Sequence, residues 1–159
     1  MQLQRLTIQN FRCFDSLELT FSNPIIFIEG FNGSGKTSIV EALHYLCYLR
    51  SFRTASSTEL LQFENNTFFI KAEVKNTDII DEYHTIQVGF KGKKKVVKVN
   101  QLSVNSYKDL MNFYRVITVT EDDLELIKGS PESRRSFIDH VVILYNPSLP
   151  KQCVDLKTS

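Results

Sequence analysis

The chain has 159 residues, 42% of them hydrophobic, which suffices for about one compact domain. A formal charge of +1 at pH 7 leaves no overall field to mark a nucleic-acid binder, so any basic surface must come from local clustering. Cys13, Cys47 and Cys153 are too few and too scattered for a disulfide framework or a cysteine metal cluster, and they suit a reducing compartment.

The opening stretch, MQLQRLTIQNF, alternates polar with apolar residues and lacks the charged head and apolar block of a signal peptide. No window approaches about 18 uninterrupted apolar residues, so a soluble, cytoplasmic chain with no membrane partner is expected. Leu3, Leu6 and Ile8, then Leu17, Leu19 and Phe21, keep two-residue spacing on either side of a polar turn near Asp15. That spacing predicts an antiparallel pair. PIIFIE follows, with residues 25–28 reading as a short, fully apolar strand. Over residues 36–50, Ile39, Val40, Leu43, Leu46, Cys47 and Leu49 are apolar on more than one side of a helical wheel, which predicts a buried helix.

Residues 68–75, 83–90, 96–99 and 102–104 read as short strands separated by Asn, Asp, Gly and Lys, giving an antiparallel β patch with exposed hairpins. Residues 110–113 look helical, and RVITVT at 115–120 looks like a strand. GSPESRRSFIDHVVILY opens a helix with Ser130 as N-cap and Pro131 at the first helical position, ending before Pro147. The tail, PSLPKQCVDLKTS, has no core-forming period and looks like a cut end.

The stretch GFNGSGKT at residues 30–37 has two glycines five apart followed by Lys and Thr, set between the apolar run and the helix. This is the context a phosphate-binding loop requires. Glycines let the backbone curl so that successive N–H groups face inward around phosphate oxygens, and the positive end of the following helix adds to the attraction. The candidate nucleotide site is Gly30, Phe31, Asn32, Gly33, Ser34, Gly35, Lys36, Thr37 and Ser38. Lys36 supplies a mobile charge for the β- and γ-phosphates, and the Thr37 hydroxyl is the candidate Mg²⁺ ligand. The cofactors expected are therefore ATP and Mg²⁺.

The order of elements argues against a simple kinase or GTPase, which usually begins with its P-loop strand. Here two strands come first, and a β patch separates the loop from the next helix. Four segments carry a resemblance: LTIQNFRCFDSLELTF at 6–21, GFNGSGKTSIVEALHYL at 30–46, RSFRT at 50–54 and DLELIKGSPESRRSFID at 123–139. Together they resemble the ATP-binding-cassette heads of the SMC class, and more closely the RecF family of bacterial DNA replication and repair proteins. GKT loops are shared by many unrelated proteins; GSP followed by paired arginines and FID is the specific block. The sequence departs from that family at residues 119–123, VTEDD, where an aromatic residue followed by Ser-Pro-Glu-Asp is usual.

The resemblance implies an α/β fold, a P-loop NTPase of ABC/SMC-like type with a mixed sheet, an antiparallel β subdomain and the start of a helical lobe, truncated. An ATP-binding lobe would occupy residues 1–129 and an incomplete helical lobe residues 130–159. It implies DNA binding at single-strand gaps, recombinase loading with RecO and RecR, an ATP-dependent homodimer, and a place in the DNA-damage (SOS) response. A complete family member is longer, and its later part carries the signature segment, the acidic metal-binding strand and a switch histidine. The 159 residues are therefore expected to bind ATP without hydrolysing it efficiently, and no catalytic residue is assigned. Two other readings stay open: a different SMC-like or nuclease-associated ATPase head, and a non-catalytic remnant that binds a partner.

Three further features carry alternatives. VITVTEDD at 116–123 imitates a metal-binding strand but precedes the GSP block, so its acids are read as a decoy, with helix capping as the plain alternative. Arg53 resembles the arginine that the SMC class sends toward nucleotide phosphates, or else packs on the β patch. Lys91, Lys93, Lys94, Lys95 and Lys98, in KGKKKVVK, either reach DNA phosphates or keep an exposed turn solvated. Arg134 and Arg135 sit in the first turns of a helix, where the macrodipole disfavours cations, so an anionic neighbour is expected.

Overall fold

The computed structural model describes residues 1–77, 79, 82–104, 110, 114–124 and 130–145. The chain divides into two units, residues 1–110 and residues 111–159. In the first, β1 (Gln2–Phe11), β2 (Phe14–Thr20), β3 (Thr67–Lys75), β4 (Tyr83–Lys91), β5 (Lys94–Val99) and β6 (Leu102–Ser103) form one sheet in the order β2-β1-β3-β4-β5-β6. Every pairing is antiparallel. The opening hairpin and the middle β patch are thus one sheet, because β1 pairs with β2 on one edge and β3 on the other.

Alternation decides which face is buried. Leu6 and Ile8 of β1, Phe68, Ile70 and Ala72 of β3, Ile86, Val88 and Phe90 of β4, and Val97 and Val99 of β5 are all buried on one face. Helix α1 (Lys36–Tyr48) belongs to that core. Tyr45 of α1 meets Phe68 edge-on with ring centroids 5.4 Å apart, Phe11 meets Phe68 at 5.3 Å, and Phe90 stacks on Phe68 at 5.0 Å. Phe68 is therefore the pivot of the core, and the buried Tyr45 hydroxyl is satisfied by donating to Ser57 Oγ at 2.9 Å. The helix ends with Leu49 in the left-handed region at φ 54°, its N–H bonded to Tyr45 O.

Several expectations need correction. The polar turn expected near Asp15 falls at Arg12-Cys13, between the paired Phe11 and Phe14. Arg12 takes φ 55°, a conformation no glycine or asparagine advertises, and its backbone N–H is held by Leu60 O at 2.8 Å. Residues 25–28 form no ladder: Ile25 is 71% exposed and Phe27 86%. A strand apolar on both faces needs paired neighbours on both sides, and every described strand already belongs to the antiparallel sheet. For the same reason no parallel member of the expected mixed sheet occurs among the described residues.

In the second unit, residues 114–120 belong to no described strand, and Ile117 and Val119 are exposed, so RVITVT is not a strand of any described sheet. A single 3-10 turn, Glu121–Leu124, follows; Thr120 N–H and Oγ1 donate to Asp123 Oδ2 at 2.6 and 3.1 Å. Asp123 is thereby occupied as a cap. Helix α2 (Pro131–Tyr145) begins with Pro131 in its first turn and ends before Pro147. Of the helix expected at 110–113, only Leu110 is described; Cys153 and the tail lie outside the described residues. No described helix is long and apolar enough to cross a membrane.

Candidate nucleotide site

Helix α1 begins at Lys36 behind Gly35, which stands at φ 94° as N-cap, and no side chain caps its first turn. A β-carbon at Gly35 would lie 2.4 Å from Phe14 Cζ and 2.7 Å from Cys13 Sγ, so the loop and the β1–β2 hairpin meet at a point only glycine can occupy. Gly33, at φ 83°, has open space around it and needs glycine for its backbone alone. Lys36 Nζ donates to Gly30 O and Phe31 O, each at 2.7 Å, folding the lysine across the loop's own carbonyls. The positive end of a helix, left-handed glycines and a lysine ammonium thus converge.

A cleft of about 610 Å³ opens here, and its lining includes Asn32, Gly33, Gly35, Lys36, Thr37, Ser38 and Arg53. Gly30, Phe31 and Ser34 shape the loop instead: the first two supply carbonyls to Lys36, and Ser34 N–H bonds Phe31 O at 3.2 Å. The Phe31 side chain points into solvent.

The cleft also holds Arg12, Cys13, Glu59 and Leu61, which the loop motif does not announce. Arg12 Nε donates to Glu41 Oε2 at 2.9 Å, Nη2 to Glu41 Oε1 at 2.7 Å, and Nη1 to Glu59 O at 2.9 Å. Arg53 Nη1 stands 3.5 Å from Glu41 Oε2. Ser51 Oγ donates to Glu41 Oε1 and accepts from the backbone N–H of Arg53 at 2.8 Å and Thr54 at 3.1 Å. Burial pushes the Glu41 carboxyl up, but the hydrogen bonds from Arg12 and Ser51 and the charges of Arg12 and Arg53 outweigh it and hold the group below its ordinary value. One sequence signal was there: Glu41 is the lone acid inside IVEALHYLCYL, and a carboxylate in an apolar helix requires a cation.

The basic hairpin does not form one surface. Lys91 and Lys94 face each other across β4 and β5, Lys93 lies in the turn, and Lys94 and Lys98 point away from α1. Lys95 is on the other face, where its Nζ donates to Leu49 O at 2.8 Å and sits 5.5 Å from the Tyr45 ring centroid. Loss of solvent pushes its pKa down. Its charge is directed at the C-terminus of α1, which favours a cation. Among the described residues no group of three His, Cys, Asp or Glu could hold a metal. Arg134 and Arg135 are exposed on α2.

Comparison with known proteins gives a consistent picture. The family model described as an AAA domain matches residues 5–148. DNA replication and repair protein RecF of Natranaerobius thermophilus is 35% identical over 148 residues, covering 93% of this chain and 38% of that protein. RecF of Halalkalibacterium halodurans is 37% identical over 139 residues, covering 87% of this chain and 37% of its own. A solved structure of the recombination mediator RecF with ATP, from the RecFOR pathway, superposes with a TM-score of 0.83 at 26% identity, over 98% of this chain and 43% of that one. The chain thus spans about two fifths of the length of the relatives it matches. With the P-loop cleft built as described and the match running through nearly all of its residues, the chain belongs to the AAA domain family and, within it, to the RecF group.

Proposed function

We propose that this chain is the ATP-binding part of a RecF-type DNA replication and repair protein. The observation that carries the reading is the convergence of Lys36, the left-handed Gly33 and Gly35 and the uncapped start of α1 on one cleft. Each supplies what a triphosphate needs: a mobile cation, backbone N–H groups free of side-chain competition, and a helix's positive end. The Thr37 hydroxyl, exposed in the same cleft, would hold Mg²⁺, which offsets phosphate charge when bound. Arg53, half-exposed at the rim, is available to a phosphate oxygen.

By kinship with RecF the whole protein would bind DNA at single-strand gaps, work with RecO and RecR to load recombinase, and pair with a second copy when ATP is bound. The solved relative carries ATP, which supports the nucleotide part of this reading. Asp123 serves as the cap of a 3-10 turn, which favours the decoy reading of VITVTEDD over a catalytic one. The test is calorimetric titration of the 159-residue chain with MgATP: saturable binding that Lys36→Ala abolishes supports the assignment. Undiminished affinity in that variant refutes it.

A further inference from the structure

Arg12 and Arg53 both face the cleft, yet they are held very differently. Arg12 spends Nε and both terminal nitrogens on fixed acceptors, Glu41 and Glu59 O, and its side chain is only 18% exposed. Arg53 has a single long approach to the same carboxylate, at 3.5 Å, and its side chain is 46% exposed. One buried carboxylate therefore serves two cations, one saturated and one loosely parked. Glu41 matches the charge of only one of them, and Glu59 is the acid among the residues that line the cleft.

The parking is reinforced through the backbone. Ser51 Oγ donates to Glu41 and accepts the N–H groups of Arg53 and Thr54, so the turn that carries Arg53 is built on the Glu41 carboxylate. Glu41 itself projects from α1 one turn beyond Thr37 and Ser38, which line the cleft. The residue thus links the hairpin turn at Arg12, the phosphate loop's own helix and the turn at 51–54.

We propose that Glu41 is the positioning residue of the phosphate cleft: through Ser51 it fixes the turn bearing Arg53 and holds that guanidinium at the rim, ready to exchange the carboxylate for a phosphate oxygen of the bound nucleotide. The inference rests on the ATP-binding reading and deepens it. Arg53 can move to an anionic ligand without leaving a buried charge unpaired, because Arg12 still neutralises Glu41. Arg12 cannot make that exchange, since its departure would strand a fully buried carboxylate.

The experiment is a double-mutant cycle on MgATP affinity in the 159-residue chain, with magnesium tripolyphosphate as a second probe lacking the nucleoside. Arg53→Ala is expected to weaken both probes on the order of tenfold, the loss of roughly one charge-assisted hydrogen bond. Ser51→Ala, which leaves the Arg12–Glu41 pair intact, should weaken them severalfold, Ser51→Thr should restore them, and Ser51→Ala combined with Arg53→Ala should be no worse than Arg53→Ala alone. Glu41→Gln should show the same non-additivity with Arg53→Ala; if that variant fails to fold, the Ser51 cycle decides alone. Additive losses, or full affinity in Ser51→Ala, overturn the positioning role while leaving ATP binding untouched. Absence of wild-type binding, or indifference to Lys36→Ala, instead refutes the nucleotide reading, and the inference with it.

Discussion

Arg12 and Glu41 form a two-bond pair, Nε to Oε2 at 2.9 Å and Nη2 to Oε1 at 2.7 Å, that ties the β1–β2 turn to the second turn of α1. The carboxylate has no exposed side-chain surface, so its charge is tolerable only while the guanidinium stays. Arg12→Ala should therefore destabilise the chain by about 3 to 5 kcal/mol, the usual cost of stranding a buried charge. Urea denaturation reads this directly. A loss under about 1 kcal/mol would mean that Arg53 or water replaces Arg12 at the carboxylate.

Gly35→Ala meets two obstacles at once. The backbone stands at φ 94°, and the new β-carbon would fall 2.4 Å from the Phe14 ring. Strain of this kind costs about 1 to 3 kcal/mol, and relief requires the loop to move away from the hairpin. The variant should lose measurable MgATP affinity as well as stability. Gly33→Ala should be milder in stability, since nothing lies within 4 Å of its added carbon, although its φ of 83° remains unfavourable.

Local patterns carried much of the fold. Two-residue spacing located β1 and β2, short runs bounded by turn residues located β3 to β5, and the apolar spread over residues 36–50 located α1, because each signal depends on residues near in sequence. Three things were not legible. The union of the hairpin with the β patch rests on β1–β3 pairing, where Leu6 meets Ala72, and alternation does not say which strand is the neighbour. Residues 25–28 have a buried strand's composition, but the antiparallel sheet offers them no partner. Lys36, Thr37 and Arg53, which line the cleft, were singled out by motif and resemblance, whereas the ties of Arg12 and Ser51 to Glu41 became visible only in the fold.

The sheet separates the lysines into two groups with different expected effects. Lys94 and Lys98 lie on the face turned away from α1, so Lys94→Gln with Lys98→Gln should flatten the dependence of log DNA affinity on log salt, if this face contacts phosphates. Lys95→Gln should leave that slope alone and instead lower stability by about 0.5 to 1 kcal/mol, because its ammonium serves Leu49 O and the Tyr45 ring. Binding measured across a salt series, beside urea midpoints, separates the two outcomes. A slope that responds only to Lys95→Gln would reverse the assignment.

The acid limb of stability should carry the signature of Glu41. Its carboxyl is held below 4.5 in the fold: burial opposes ionisation, but Arg12, Ser51 and Arg53 together prevail. The folded chain then releases this proton more readily than the unfolded chain, so ionisation favours folding. The contribution is complete above the unfolded value near 4.5 and drains away as pH falls through the lower folded value. Glu73, lowered chiefly by its hydrogen bond from Lys71, adds to the same limb, so wild-type data alone do not isolate Glu41. The comparison with Glu41→Gln does. Between about pH 6 and pH 3 the wild-type urea midpoint should fall more steeply than that of the variant, which has no proton to gain at this position. The two curves should converge toward the acid end. Parallel curves would mean that Glu41 enters the fold without its charge, and the pairing with Arg12 would then not be ionic.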